Sequence, residues 1–288
     1  MKIVKIALLG VCNSRYVIEA AARDNDISVE PYIFQPCFLD ITKKGLGIPY
    51  KKFYELPPID GKEETAIFTK KTMQFDLNKT ALSTIESINP NYLVIDLSTL
   101  AMKTYEVELG GKKVFSCNAY SPSCYEYLQE NIKDLHFQKV EIDENFIKDS
   151  INELSEYLKN NWDLSKVIIF NYIRPKYYMG LDKKIYKYPT SYWGVKQAEI
   201  IKIYTKYLSE LLPSVKVFED SDIKIGYHSK GELERKEPIP SSFHTSENTQ
   251  KLQGLLFRKF LFNECNEEID KIKNILIEEI NTKLCSWL

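Results

Sequence analysis

Histidine is scarce in this chain: there are three, His136, His228 and His244, among 288 residues. The six cysteines (Cys12, Cys37, Cys117, Cys124, Cys265 and Cys285) form no close pairs, and Cys117 and Cys124, seven apart, do not have a standard ligand spacing. With so few imidazoles and no paired thiols, no metal is expected. The same scatter lacks the density of a disulfide scaffold, so free thiols in a reducing cytoplasm are expected. Charge of one sign is also missing. The 39 basic and 40 acidic residues leave a formal net charge of -1, and no overall field draws the chain to nucleic acid or a membrane surface. The apolar run at the N-terminus is too short to span a bilayer and lacks a small-residue cleavage site, so neither an integral membrane segment nor secretion is expected. No repeat, low-complexity tract or linker divides the sequence, and one domain over residues 1–288 is expected.

With 44% hydrophobic and 27% charged residues, the chain is able to bury a large core. Strand patterns at 3–9, 29–34, 92–97, 112–117, 166–171 and 214–219 alternate with helical ones. That alternation predicts an α/β fold, a three-layer sandwich with a mainly parallel sheet covered by helices on both faces. Residues 144–160 and 195–212 carry apolar side chains at helical spacing. Two long stretches, 35–75 and 220–245, lack clear periodicity and are rich in glycine and proline; loops of that length are usually functional or mobile. Two helical patterns, 246–262 and 266–285, close the chain.

The most informative segment is the first fifteen residues. An apolar run through Leu9 breaks at Gly10-Val11-Cys12-Asn13-Ser14-Arg15, and a helical pattern starts at about Ser14. A strand that turns straight into a helix displays the next side chains at the carboxyl edge of a sheet, where open α/β folds keep their chemistry. Cys12 in that turn faces the first unpaired N–H groups of the helix, whose partial positive charge favours thiolate, and is the leading nucleophile. Ser14 is a second hydroxyl nucleophile or a cap of the first turn. Arg15 is either an anion ligand or half of a structural ion pair. A thiol nucleophile is commonly activated by an imidazole. His244, at the end of the last long loop and just before a helix, is the best placed, and His228, in a glycine-flanked loop, is second. His136, between Leu135 and Phe137, reads as a partly buried structural residue. The backbone N–H groups of Cys12 and Asn13 are the natural donors to a developing oxyanion. The segment Asn171-Tyr172-Ile173-Arg174-Pro175-Lys176-Tyr177-Tyr178 follows a strand and mixes two cations with three tyrosines. It suits a phosphate-bearing or sugar-bearing ligand, with Arg174 and Lys176 for phosphate.

The Gly-x-Cys-x-Ser-Arg turn of Gly10–Arg15, together with the late Phe243-His244 ahead of a helix, resembles a bacterial SGNH-hydrolase-like family. That family is similar in pattern to capsular polysaccharide acetyltransferases that bind coenzyme A. The usual family turn has serine where Val11 stands. The resemblance implies a flavodoxin-like α/β fold with Cys12 as nucleophile and His244 as base. SGNH enzymes usually place an aspartate three residues before that histidine; Ser241 stands there, which favours a Cys-His dyad, with Asp220 and Asp222 the nearest carboxylates. The side-chain oxyanion donor, an asparagine after a central strand in SGNH proteins, is replaced by Ser98, with Asn171 the other candidate. The activity implied is acyl transfer, O-acetyl above all, from acyl coenzyme A to a polysaccharide or sugar acceptor. An esterase or deacetylase of the same fold, and a binding or accessory protein without catalysis, are the alternatives.

Overall fold

The computed structural model describes residues 3–56, 63–117, 122–241 and 244–285. The chain begins with β1 (Val4–Gly10), α1 (Cys12–Ala21) and β2 (Ile27–Phe34). Three helices follow, α2 (Tyr50–Tyr54), α3 (Glu63–Asn78) and α4 (Ala81–Ile88), leading into β3 (Tyr92–Ile95). Next come β4 (Thr104–Leu109), β5 (Lys112–Ser116), α5 (Pro122–Asn131) and β6 (Leu135–Val140), then α6 (Glu144–Asn161) and β7 (Val167–Asn171). Two short strands, β8 (Tyr177–Met179) and β9 (Ile185–Lys187), precede α7 (Trp193–Leu211) and β10 (Lys216–Glu219). The last elements are β11 (Ile225–Gly226), α8 (Lys230–Glu234), α9 (Glu247–Phe262) and α10 (Asn266–Lys283).

The central sheet has the order β10-β7-β3-β1-β2, with every neighbouring pair parallel. Numbered along the chain, this is the 2-1-3-4-5 order of a doubly wound, flavodoxin-like sheet. Strand period two sends alternate residues to opposite faces. Ala7, Leu9, Leu93, Ile95, Val167 and Ile169 pack under α4, α6 and α7. Ile6, Leu8, Val94, Ile168, Phe170 and Phe218 pack under α1 and α9. The result is three layers, as the alternation of patterns predicts.

The run at 112–117 is a strand, but not of this sheet. β5 pairs antiparallel with β4, which also pairs antiparallel with β6. These strands, α3 and α5 form a separate apolar cluster around Val107, Val114 and Leu128. The stretch at 35–75 is not one loop either, because it contains α2 and the start of α3. The stretch at 220–245 contains β11 and α8. His136 lies on β6 with its side chain exposed, not partly buried.

Two close approaches position the carboxyl edge. A Cβ on Gly10 would lie 2.6 Å from Ser14 Oγ and 2.9 Å from Asp96 Cβ, so the turn from β1 into α1 has room only for glycine. On α9, a Cβ on Gly254 would come within 2.5 Å of the Ala20 backbone. One turn further on, Arg258 donates to the Ala21 carbonyl at 3.2 Å and to Asp26 at 2.7 Å. Helices α1 and α9 therefore run side by side in the same direction. Each begins eight residues before the crossing, at Cys12 and at the N-cap Ser246, about 12 Å of helix at 1.5 Å per residue. Their starts share the carboxyl edge of the sheet. Because the obstacle at Gly254 is backbone, Gly254→Val is expected to lower the free energy of unfolding by about 1–3 kcal/mol. Urea unfolding followed by circular dichroism measures it, and an unchanged midpoint would show that the helices are free to separate.

Candidate functional site

β1 and β3 diverge at the switch point of the sheet, and the start of α1 fills the crevice between them. Val11 is the N-cap and offers no side-chain cap. The first helical hydrogen bond runs from Arg15 N–H to the Val11 carbonyl at 3.2 Å, so the N–H groups of Cys12, Asn13 and Ser14 lie ahead of the helical ladder. Asn13 is buried, and its Nδ2 has no hydrogen-bond partner. Ser14 is buried as well and donates its hydroxyl to the Val11 carbonyl at 2.9 Å. It is neither a cap nor an exposed nucleophile.

Cys12 is the first residue of α1. The helix start does not leave it a poised thiolate, as the turn by itself predicts. Burial pushes the thiol above its ordinary value, and a hydrogen bond with Tyr32 and the nearby Arg15 charge offset only part of that effect. Arg15 donates to Glu19 at 2.7 Å, one turn along the helix, and its guanidinium lies 5.2 Å from the centre of the Tyr32 ring. Of its two readings, the structural ion pair is the one present.

His244 reaches the same edge from the segment before α9. Its N–H donates to the Ser241 carbonyl at 3.4 Å and its carbonyl accepts from Tyr227 N–H at 2.9 Å. Its Nδ1 lies 3.5 Å from Glu232 Oε2. Cys12 and His244 share an edge, but no hydrogen bond joins them. Phe243, the other half of the late motif, lies outside the described residues.

The carboxylate beside His244 is Glu232, not Asp220 or Asp222. Asp220 is fully buried in an ion pair with Lys224 and accepts from Gln253 at 2.8 Å. Glu232 caps its own helix in a reciprocal box with Ser229, accepts from Ser229 N–H at 2.6 Å and from Ser241 N–H at 2.7 Å. Burial pushes its carboxyl up, but these donors outweigh burial and hold it below the ordinary range. Nδ1 is buried and makes no hydrogen bond, so the ionised Glu232 at 3.5 Å acts on it through charge alone, which favours a proton on Nδ1 and leaves Nε2 as the acceptor. The Ser229-x-x-Glu232 capping box is visible in the sequence, but nothing in it points to a histidine twelve residues later.

His228 has a structural role. It is buried, and its Nε2 donates to the Glu237 carbonyl at 2.7 Å. Ser98 is buried, and both its N–H (3.0 Å) and its hydroxyl donate to Asp96, so it is not a free oxyanion donor. Asn171 sits at the end of β7 and donates its amide to Glu219 at 2.6 Å. That amide is also engaged.

Asn171 does line the entrance of a cavity of about 700 Å³ at the carboxyl ends of β7 and β10, walled by the 171–177 segment, β9 and α7. Arg174 and Lys176 both face it, as their place after a strand predicts. The Arg174 guanidinium lies 4.6 Å from the centre of the Tyr188 ring and 5.0 Å from that of Tyr192. Tyr188 joins this cavity to His244, donating its hydroxyl to the Pro240 carbonyl at 3.2 Å, one residue before the Ser241 N–H that holds Glu232. Gly226 makes room for that hydroxyl, which would lie 2.0 Å from a Cβ there. Among the described residues there is no cluster of side chains able to hold a metal ion, and no helix is long and apolar enough to cross a membrane.

Since burial raises the Cys12 thiol, little thiolate is present at neutral pH. Alkylation by iodoacetamide, followed by mass spectrometry, is expected to be slower at pH 7 than for free cysteine and to accelerate with pH beyond the ordinary thiol range. Tyr32→Phe, which removes a hydrogen bond to the anion, is expected to move that profile to still higher pH. Rapid labelling of Cys12 at pH 6–7 would contradict both expectations. No known family model matches the chain, and no curated protein matches it, so a functional reading rests on this geometry and on the resemblance of its turn.

Proposed function

We propose that the protein is an acyltransferase of SGNH-like design that moves an acyl group from acyl coenzyme A to a carbohydrate hydroxyl. The observation that carries this reading is the His244–Glu232 pair on the same sheet edge as the uncapped start of α1. A base held by a carboxylate and a set of unpaired N–H donors are the two parts that acyl transfer needs. In this reading the Glu232 charge favours a proton on Nδ1 and His244 Nε2 takes the proton from the acceptor hydroxyl. The N–H groups of Cys12 and Asn13, with the free Asn13 amide, receive the charge that develops on the carbonyl oxygen. The acceptor oxygen forms the new ester bond, the thioester C–S bond breaks, and His244 returns the proton to the departing thiolate.

Transfer runs directly to the acceptor, without an acyl-Cys12 intermediate. Two features favour that route: burial keeps Cys12 a thiol, and no hydrogen bond links it to His244. Hydrolysis by the same groups is the second reading, favoured by the 35% exposure of the His244 side chain, which admits water as acceptor. The chain is expected to act in the cytoplasm, where acyl coenzyme A is available.

Native mass spectrometry with acetyl coenzyme A is expected to show bound donor and no acetyl adduct on Cys12. In a transfer assay His244→Ala is expected to lower kcat by about 10²–10⁴-fold. Glu232→Gln is expected to lower it as well, with the donor KM unchanged, while Cys12→Ala stays within about tenfold of the wild type. An adduct that disappears in Cys12→Ala would overturn the direct route. Absence of both donor binding and transfer would overturn the acyltransferase reading.

A further inference from the structure

One cation in the wall of the cavity at the ends of β7 and β10, Arg174, is left without an ion pair among the described residues. Arg174 has two guanidinium nitrogens, Nε and one Nη, buried and without a hydrogen-bond partner. Among the described residues it forms no ion pair. Its charge is stacked on the faces of Tyr188 and Tyr192, and burial lowers its tendency to hold the proton. A guanidinium is a planar fork of donors, and a buried one left without an acceptor is destabilising. The ring faces take up part of the charge but accept no in-plane hydrogen bond from the fork. An acceptor is missing from the site.

The surroundings indicate its charge and size. Lys176, Lys187 and Lys202 also line the cavity, against two acids, Glu199 and Glu219. Glu219 is already accepting from Asn171. Four cations against two carboxylates favour a group bearing more than one negative charge. With Glu199 and Glu219 counted, a single ligand carboxylate would still leave one cation of the cavity uncompensated. At about 700 Å³ the space is large enough for a cofactor-sized molecule. The half-buried Tyr177 in its wall provides a face for a ring. It opens at the carboxyl edge of the sheet, where doubly wound folds bind their ligands.

We propose that Arg174 anchors the phosphoryl group of an organic phosphate bound in this cavity. The fork donates to two phosphate oxygens side by side, with Lys176 and Lys202 neutralising the remaining charge and Tyr177 beside the organic part. Tyr188 separates this anchor from His244, so the phosphate sits away from the reacting atoms and serves binding, not bond-breaking. The identification of the occupant with the diphosphate or the 3′-phosphate of coenzyme A rests on the acyl-transfer reading. The phosphoryl subsite does not.

The test is calorimetric titration of the full chain with coenzyme A, dephospho-coenzyme A, ADP and pantetheine. Coenzyme A and ADP are expected to bind, and pantetheine, which carries no phosphate, is not. Loss of affinity from coenzyme A to dephospho-coenzyme A assigns the 3′-phosphate to Arg174; equal affinity assigns the diphosphate. Arg174→Ala is expected to weaken ADP binding by about ten- to a hundredfold. Arg174→Lys, which keeps the charge and protects the fold if alanine does not, is expected to recover only part of it. Lys216→Ala, an exposed position at the other end of β10, is expected to bind like the wild type. Failure of every phosphate to bind, or equal binding by wild type, Arg174→Ala and Arg174→Lys, would overturn the proposal. ADP binding lost in the Arg174 variants without any acyl transfer would leave the subsite standing and remove the acyltransferase. Acyl transfer with a donor KM indifferent to Arg174 would do the reverse.

Discussion

The contact of α9 with α1, backbone against a glycine, is the constraint on which the candidate site depends. A side chain at Gly254 would separate the helices, and with them the two segments that carry Cys12 and His244. The parallel sheet alone does not secure that relation. It delivers the start of α1 to the crevice between β1 and β3, but α9 arrives after α8 and after β11, which belongs to the small sheet with β8 and β9. The Ala20–Gly254 crossing, reinforced by Arg258 on Ala21 and Asp26, sets the level at which α9 starts together with the bonds of Gln253 to Asp220 and of Ser246 N–H to the Ile225 carbonyl. Stability and site geometry are linked at one position.

Much of this was legible from residue order. The unbroken apolar runs at β1, β3 and β7 reported buried parallel strands, and the break at Gly10 reported the turn, because a chain that enters a helix directly from a strand leaves little room for a side chain. The spacing of Ile151, Leu154 and Leu158 reported α6. The antiparallel unit was not legible. Lys112–Ser116 has the same run of strand-forming residues whichever sheet it joins, and the alternation in its partner β4 marks a half-buried strand without naming the strands it pairs with. The short strands β8, β9 and β11 are two or three residues long and carry no measurable period. Glu232 was missed for a different reason. Its local role as a capping residue accounts for it fully in sequence, and its approach to His244 exists only after the chain from Ser229 to Ser241 folds back.

Burial treats three ionisable groups at this edge differently, and the difference lies in their partners. Cys12 has a tyrosine and an arginine already engaged with Glu19, and the desolvation of its thiolate prevails. Glu232 is comparably enclosed, but two backbone N–H groups point at its carboxylate, and it stays ionised. Backbone donors are fixed before the charge forms and need no reorganisation, which makes them stronger partners than a mobile side chain. Among the described residues the buried Nε and Nη of Arg174 have no hydrogen-bond partner, and its charge meets only ring faces. A group in that position is stable only if its surroundings leave its charge to be completed from outside.

Under the proposed acyl-transfer reading, these three states divide the work along the edge. Glu232 has a settled charge and an imidazole beside it, the condition of a group that orients a base. The start of α1 has neutral, unpaired donors, the condition of a site where negative charge appears briefly and leaves. Arg174 holds a permanent charge with no permanent partner, the condition of a site that binds an anion and keeps it for the length of an encounter. Tyr188 lies between the last of these and the first, in contact with the Arg174 guanidinium through its ring and with the Pro240–Ser241 backbone through its hydroxyl. In that reading an anion on Arg174 meets Tyr188 through the guanidinium stacked on its ring, and the tyrosine hydroxyl is bonded to the segment whose next N–H donates to Glu232. Occupation of the anion subsite and orientation of the base therefore have a physical connection. It passes through two contacts and requires no movement of the sheet.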